Sequence, residues 1–342
     1  MAALRIMDAN FNRANEALRV LEEYCRFGLS DGHLTRCWKE LRHSLANVHA
    51  ALPVADLLHS RDTAGDVGTA VKTDQEQSRG SIRHVAQASC KRLEQALRSL
   101  EEYAKVLSLP AREIEALRYQ SYTFEKATLL TANSQQKLAG AWLYVLMDGG
   151  ESAEAFARLA LEICQSGADI VQLREKEMAD SELLERAKIL RRISRESGTL
   201  FIMNDRPDLA FLADADGVHV GQEELSIQDV RRIVGPEMLI GLSSHSIDQA
   251  RAAVLAGASY IGCGPTFPSG TKHFDHFPGL AFLREVAAEI SLPAFAIGGI
   301  TLENLEEVLG TGMKRVAVGG VVMTSKSPAQ ILRSLAVKPA AI

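Results

Sequence analysis

The stretch GADIVQLREKEMADSELLERAKILRRISRESGTLFIMN, residues 167–204, holds one complete strand–helix–strand unit. Ile170–Leu173 and Leu200–Met203 are apolar runs of strand length, and Ser181–Ser197 between them repeats its apolar residues at helical spacing. Gly198 falls where the helix should stop, in a position that suits a left-handed cap. The same grammar recurs on both sides. Further strand-length runs lie at Leu143–Met147, Val218–Val220, Leu239–Leu242, Tyr260–Cys263, Ala294–Ile297 and Val316–Val318. Helical patterns at Ala153–Ser166, Ile247–Ala256, Leu280–Glu289 and Leu302–Leu309 separate most of them, with Gly167, Gly257 and Gly312 as further caps. Eight strand–helix units in about 200 residues predict an α/β fold, a compact (β/α)8 TIM barrel over 141–342. A doubly wound open sheet is the alternative.

The residues before the barrel follow another pattern. Leu4, Phe11, Leu18, Leu21 and Tyr24 recur at helical spacing, and the stretches Trp38–Leu52, Ile82–Leu107 and Glu113–Leu130 share the period. Residues 1–130 therefore read as an all-α helical domain, with Pro53 and Pro110 at helix boundaries and Ser60–Thr73 as a loop. This half contains an echo. Arg13 to Tyr24 spells R-x-x-E-A-L-R-x-L-E-E-Y, and Arg92 to Tyr103, 79 residues later, spells R-x-x-Q-A-L-R-x-L-E-E-Y. Two related helical hairpins packed as a four-helix unit explain the spacing. Thr131, Asn133, Ser134, Gln135 and Gln136 make 131–140 the expected linker.

Composition narrows the function. The 342 residues carry a formal net charge of −5, which leaves no basic excess for a general nucleic-acid binder. Cys25, Cys37, Cys90, Cys164 and Cys263 are scattered, without metal-site spacing, and fit reduced thiols of a cytoplasmic protein. No apolar run reaches the ~20 residues of a membrane span, and the charged first thirty residues exclude a signal-peptide core.

In such a barrel the chemistry belongs at the carboxyl ends of the strands. After the second strand come Gln172, Leu173, Arg174, Glu175 and Lys176; alternation points Gln172, Arg174 and Lys176 one way, an amide and two cations suited to a diphosphate. The third strand ends in Asn204-Asp205, and Glu224 follows the fourth. Two carboxylates from neighbouring strand ends beside a diphosphate cradle suit Mg²⁺. The fifth strand ends in Ser243, and the sixth in a loop containing Ser269, Gly270, Thr271 and Lys272, small groups and a cation suited to an anion. Gly298-Gly299 and Gly319-Gly320 follow strands seven and eight, the usual phosphate site of these barrels. His219 reads as a strand residue and His245 as a loop hydrogen-bonder. No Ser–His–Asp or Cys–His arrangement is evident.

Taken in order, Q-L-R-E-K (172–176), N-D (204–205), G-V-H-V-G-Q-E (217–223), G-L-S-S-H (241–245), G-P-T-F-P-S-G-T-K (264–272) and A-I-G-G-I (296–300) resemble thiamine-phosphate synthases. The resemblance spans roughly Ala141–Leu335. It implies a transferase that joins a hydroxymethylpyrimidine diphosphate to a thiazole phosphate through a pyrimidine-methyl cation. It also implies that the run Gln172, Leu173, Arg174, Glu175 and Lys176, with Asn204, Ser243 and Lys272, holds the diphosphate substrate, with Arg174, Lys176 and Lys272 stabilising the departing group. Ser269–Thr271 and Gly298 would meet the thiazole phosphate, and Asp205 would bind Mg²⁺. Two departures stand out: Glu224 where the family usually has Asp, and Gly319-Gly320 where it commonly has an aliphatic residue and Ser. Related readings are a thiazole tautomerase and a non-catalytic thiazole-phosphate sensor. The first half resembles the helical extension of some bacterial members, on the L-E-E-Y echo and Arg61–Gly68. A ligand role for that stretch and a packing role, with self-association through the helical domain, are both open.

Overall fold

A computed structural model describes residues 1–52, 54–63, 65, 79–268 and 277–336. The chain forms two compact units, Met1–Leu129 and Leu130–Ile342.

In the first unit α1 (Ala2–Glu23) leads through a π turn at Tyr24–Gly28 to α2 (Gly32–Ala50), whose N-terminus is capped by Asp31 accepting from the Leu34 amide at 2.7 Å. A short α3 (Val54–His59) precedes α4 (Ile82–Val106), capped by Ser81, and α5 (Ala111–Lys137) starts directly after Pro110. Packing gathers the apolar stripes: Trp38 of α2 is fully buried, lies edge-on to Phe124 of α5, and donates its indole N–H to Thr128 at 3.0 Å.

The sequence echo has a structural cause. Glu22 of α1 is buried and accepts from Arg42 of α2 at 3.0 Å; Glu101 of α4 is buried and accepts from Arg118 of α5 at 2.9 Å. Each copy of L-E-E-Y thus places a buried carboxylate under an arginine of the following long helix. A buried carboxylate requires such a partner. In the stretch suggested for ligand binding, Arg61 is already engaged in a forked pair with Asp8 at 2.6 and 2.7 Å; positions 64 and 66–68 lie outside the described residues.

The residues expected as a linker, 131–140, remain helical to Lys137. Thr131 and Ser134 are buried, and Gln135 donates to the Ser291 carbonyl at 3.1 Å. The polarity of Gln135 serves a hydrogen bond within the second unit.

The second unit is a closed barrel of eight parallel strands in sequence order: β1 (Leu143–Met147), β2 (Ile170–Leu173), β3 (Leu200–Asn204), β4 (Gly217–Val220), β5 (Leu239–Ser244), β6 (Tyr260–Cys263), β7 (Ala294–Ile297) and β8 (Val316–Val318). Between them run α6 (Ala153–Gln165), α7 (Asp180–Ser197), α8 (Pro207–Leu212), α9 (Ile227–Val234), α10 (Ile247–Ala256), α11 (Gly279–Glu289) and α12 (Leu305–Leu309); α13 (Gly320–Met323) and α14 (Pro328–Leu335) follow β8. Gly198 and Gly257 cap their helices with φ of 70° and 91°, a region that disfavours any other residue. Tyr144, Ile170, Ile202, Leu239, Tyr260, Phe295 and Ala317 fill the interior as one cluster. Among the described residues no helix is long and apolar enough to cross a membrane.

Candidate active site

The barrel interior changes character toward the carboxyl ends of its strands. Along the inward-facing row, Asn204 of β3 is in register with His219 of β4, His219 with Gly241 of β5, and Gly241 with Tyr260 of β6. The two rings lie over Gly241, where a Cβ would come within 2.2 Å of Tyr260 Cζ and 2.5 Å of His219 Nδ1. Glycine is therefore demanded by the rings rather than by the strand. Gln172 Nε2 donates to the Tyr144 hydroxyl at 2.9 Å, and the Tyr144 and Tyr260 hydroxyls lie 3.0 Å apart. His219 Nδ1 is 3.2 Å from Tyr260 Oη, and its Nε2 is 3.0 Å from Ser243 Oγ. This buried polar chain joins two expected site residues, Gln172 and Ser243, through three others. Burial pushes the His219 imidazole down to about 4, against the opposing pull of Asp205, so the ring is neutral near pH 7. Burial likewise raises the Tyr260 phenol.

Above this floor the rim is charged. Lys176, in the loop after β2, reaches Asp205, after β3, at 3.4 Å. Asp205 is held with φ of 57° while its amide donates to the His219 carbonyl at 2.8 Å, which turns the chain out of the strand. Arg206 braces that turn by pairing with Asp180 of α7 and Asp208 of α8. Arg174 is half-buried, its amide bonded to the Met147 carbonyl at 2.8 Å, and its guanidinium pairs with no acidic group among the described residues. A half-buried, unpaired arginine beside a lysine leaves a local positive charge at the mouth.

Two of the expected contacts are corrected by side-chain direction. Leu173 is fully buried with the opposite parity to Gln172, so its side chain faces the helices and not a ligand. Glu175 accepts backbone N–H groups from Gly149, Lys176 and Glu177 at 3.2, 2.7 and 2.9 Å. These bonds, that from Glu177 foremost, hold its carboxyl below the usual range. Glu175 shapes the loop that presents Arg174 and Lys176; an anion would be repelled by it.

Glu224 is exposed and folds back over Gly221, where a Cβ would lie 2.3 Å from Glu224 Oε2. Gly298 and Gly299 have φ of 100° and 65°, and a Cβ on either would strike the β6 loop, 2.7 Å from Pro265 Cα and 2.7 Å from the Pro268 carbonyl. That loop is stapled to them: the Thr266 amide donates to the Ile297 carbonyl and the Phe267 amide to the Gly298 carbonyl, both at 2.9 Å. The glycine pair is thus accounted for by loop packing alone. Gly319 and Gly320 open the short α13, with Gly319 at φ −136° and ψ −77°. His245 meets the Gly264 carbonyl at 2.5 Å, as a loop hydrogen-bonder. Ser269, Gly270, Thr271 and Lys272 lie outside the described residues. No group of three or more His, Cys, Asp or Glu side chains converges as a metal cage among the described residues.

Sequence reasoning overlooked Tyr144 and Tyr260. A signal was present: Gly241 and Gly262 are glycines at inward positions of adjacent strands, where only a neighbouring ring could fill the space. His219 was placed correctly on a strand but not as the hub between Tyr260 and Ser243.

Comparison with known proteins finds matches for both halves of the chain. The family model described as thiamine monophosphate synthase matches residues 143–322, and one described as the ThiD2 family matches residues 5–127. A thiamine-phosphate synthase of Rhodopirellula baltica is 48% identical over 329 residues, 93% of this chain and 88% of that protein. One of Synechocystis is 40% identical, covering 98% of this chain and 95% of that protein. Among solved structures, thiamine phosphate pyrophosphorylase from Pyrococcus furiosus aligns at a TM-score of 0.52 and 34% identity, over 57% of this chain and 93% of its own.

Proposed function

Given that the chain belongs to the thiamine monophosphate synthase family and makes thiamine phosphate from a pyrimidine diphosphate and a thiazole phosphate, we propose that it does so at the mouth framed by β2, β3 and β5. The observation behind this reading is the neighbouring of Arg174, unpaired with any acidic group among the described residues, and Lys176 above a buried polar floor. The diphosphate lies against those two cations, with Lys272 of the β6 loop as a third. Arg174 offers a planar fork and Lys176 a compact charge. Asn204, buried at the end of β3, and Ser243 supply neutral hydrogen bonds. Gln172 uses an amide N–H on Tyr144 and leaves its amide oxygen to the pyrimidine.

The bond between the pyrimidine methylene and the diphosphate oxygen breaks, and its electron pair leaves with the diphosphate. The cations stabilise the charge gathering there, a preorganised effect of the kind worth two to three orders of magnitude per donor. The pyrimidine-methyl cation is captured by the thiazole nitrogen, whose lone pair forms the new C–N bond. No side-chain nucleophile is required. The thiazole phosphate is assigned to Ser269–Thr271, the backbone of Gly298 and Gly299, and Gly319-Gly320 at the start of α13. Asp205 and Glu224, hard oxygen donors after β3 and β4, would hold a Mg²⁺ ion, which would add positive charge beside the leaving group. Five cysteines, all free and buried, fit work in the reducing cytoplasm.

Calorimetric titration of inorganic diphosphate into the full chain and its Arg174→Ala variant tests the placement. Binding at least tenfold weaker in the variant is expected; equal binding would place the diphosphate elsewhere.

A further inference from the structure

The polar chain under the mouth has a direction. Gln172 Nε2 is a donor only, so the Tyr144 hydroxyl accepts from it. Tyr144 is buried, and among the described residues its single O–H has one remaining neighbour, the Tyr260 hydroxyl at 3.0 Å. A buried O–H without an acceptor is costly, so Tyr144 donates to Tyr260. The Tyr260 O–H must then point to its other neighbour, His219 Nδ1 at 3.2 Å. Nδ1 accepts, and the imidazole proton therefore sits on Nε2, which donates to Ser243 Oγ at 3.0 Å. Among the described residues Ser243 Oγ has no other partner, so its own proton is left to point into the mouth.

We propose that Tyr144, Tyr260 and His219 form a directional hydrogen-bond relay that fixes the His219 tautomer and holds the Ser243 hydroxyl as a donor to the substrate's diphosphate. The three are positioning residues; none touches the reacting atoms. With the Gln172 amide N–H facing Tyr144, the reversed chain would leave the Tyr144 O–H with no acceptor. It would also turn Ser243 into a donor to His219, presenting only oxygen lone pairs to an anion. The packing enforces the same chain. Gly241 admits the two rings, and a Cβ at Gly262 would meet His219 Cε1 at 3.3 Å. Tyr144 and Phe295 stand tilted or edge-on to Tyr260, with centroids 5.9 and 5.7 Å away. The relay runs from Gln172, assigned to the pyrimidine, to Ser243, assigned to the diphosphate, so one rigid chain sets both ends of one substrate.

The proposal rests on the reading of Ser243 as a diphosphate contact, and two measurements keep the two apart. Long-range ¹H–¹⁵N correlation on the ¹⁵N-histidine-labelled full chain, with His219 assigned by loss of its signals in His219→Gln, reads the tautomer directly. A neutral ring protonated on Nε2 is expected, shifting toward Nδ1 in Tyr260→Phe; a ring protonated on Nδ1 in the unsubstituted chain overturns the relay. Turnover is then compared across Tyr260→Phe, Ser243→Ala and the double variant. Tyr260→Phe should lower kcat roughly tenfold, with KM for the thiazole phosphate unchanged, yet change the Ser243→Ala enzyme by less than about twofold. Equal losses in both backgrounds would show that Tyr260 does not act through Ser243. Full turnover by Ser243→Ala with the Nε2 tautomer intact would instead remove the diphosphate contact, and with it the relay's role.

Discussion

Replacing Gly241 by Ala adds one methyl group at the most crowded point of the barrel. The new Cβ would sit 2.2 Å from Tyr260 Cζ and 2.5 Å from His219 Nδ1, both far inside van der Waals contact. Tyr260 has no slack, being fully buried between Tyr144 and Phe295, and His219 is anchored at both nitrogens. Overpacking alone costs about 1–3 kcal/mol. If the rings part, the His219–Tyr260 hydrogen bond is lost inside the barrel, and an unpaired buried polar group adds about 1–3 kcal/mol. The expected destabilisation of the barrel is therefore about 2–6 kcal/mol, against total stabilities that seldom exceed ~15 kcal/mol. Because the chain has two units, a single melting temperature would mix their transitions. Urea unfolding followed by the fluorescence of Trp142, the barrel's own tryptophan, in a Trp38→Phe background isolates the barrel better. Product formation on the same samples should fall at least tenfold, since a shifted His219 no longer holds Ser243. A Gly241→Ala protein that unfolds within about 0.5 kcal/mol of the parent would refute the packing argument.

Arg174→Lys keeps the charge but loses the fork, and should lower kcat/KM for the pyrimidine diphosphate roughly tenfold, with Arg174→Ala costing about a hundredfold, in steady-state kinetics. Glu224→Ala should raise the Mg²⁺ concentration for half-maximal rate by roughly tenfold, whereas an unchanged Mg²⁺ titration would free Glu224 of that role. In the helical unit, burial pushes the Glu101 carboxyl up, but hydrogen bonds from Lys105 and Arg118 outweigh it and leave the group below its ordinary value. The folded state then holds fewer protons than the unfolded one around that value. Its stabilisation is complete above the ordinary carboxylate range and is lost as pH falls through the lowered one. Urea unfolding followed by Trp38 fluorescence in a Trp142→Phe background, from about pH 6 to pH 3, should show this loss, and Glu101→Gln should flatten it while lowering stability at neutral pH.

Much of the fold was legible because hydrophobic periodicity and glycine caps are local signals. The runs Leu143–Met147, Ile170–Leu173, Tyr260–Cys263, Ala294–Ile297 and Val316–Val318 are strands with those bounds, and Gly198 and Gly257 are left-handed caps. Residues 131–137 misled because a polar side chain looks the same in sequence whether it meets water or, like Gln135, a backbone carbonyl 156 residues away. The rim was readable as charge at strand ends. Glu175 shows the limit, since only the loop's closure shows its carboxylate turned to backbone amides. The floor was the least legible. Tyr144, His219 and Tyr260 are far apart in sequence and meet only when the sheet closes, although Gly241 and Gly262 marked the space they fill.

The central claim is that this mouth carries out the condensation. The most direct measurement incubates the full chain with Mg²⁺, hydroxymethylpyrimidine diphosphate and thiazole phosphate and quantifies thiamine phosphate, in parallel with Lys176→Ala and Asp205→Ala. Those two residues meet at 3.4 Å across β2 and β3. Product from the parent, reduced at least a hundredfold in both variants with thiazole phosphate binding intact, is the predicted result. Parent-level product from both variants would contradict the site.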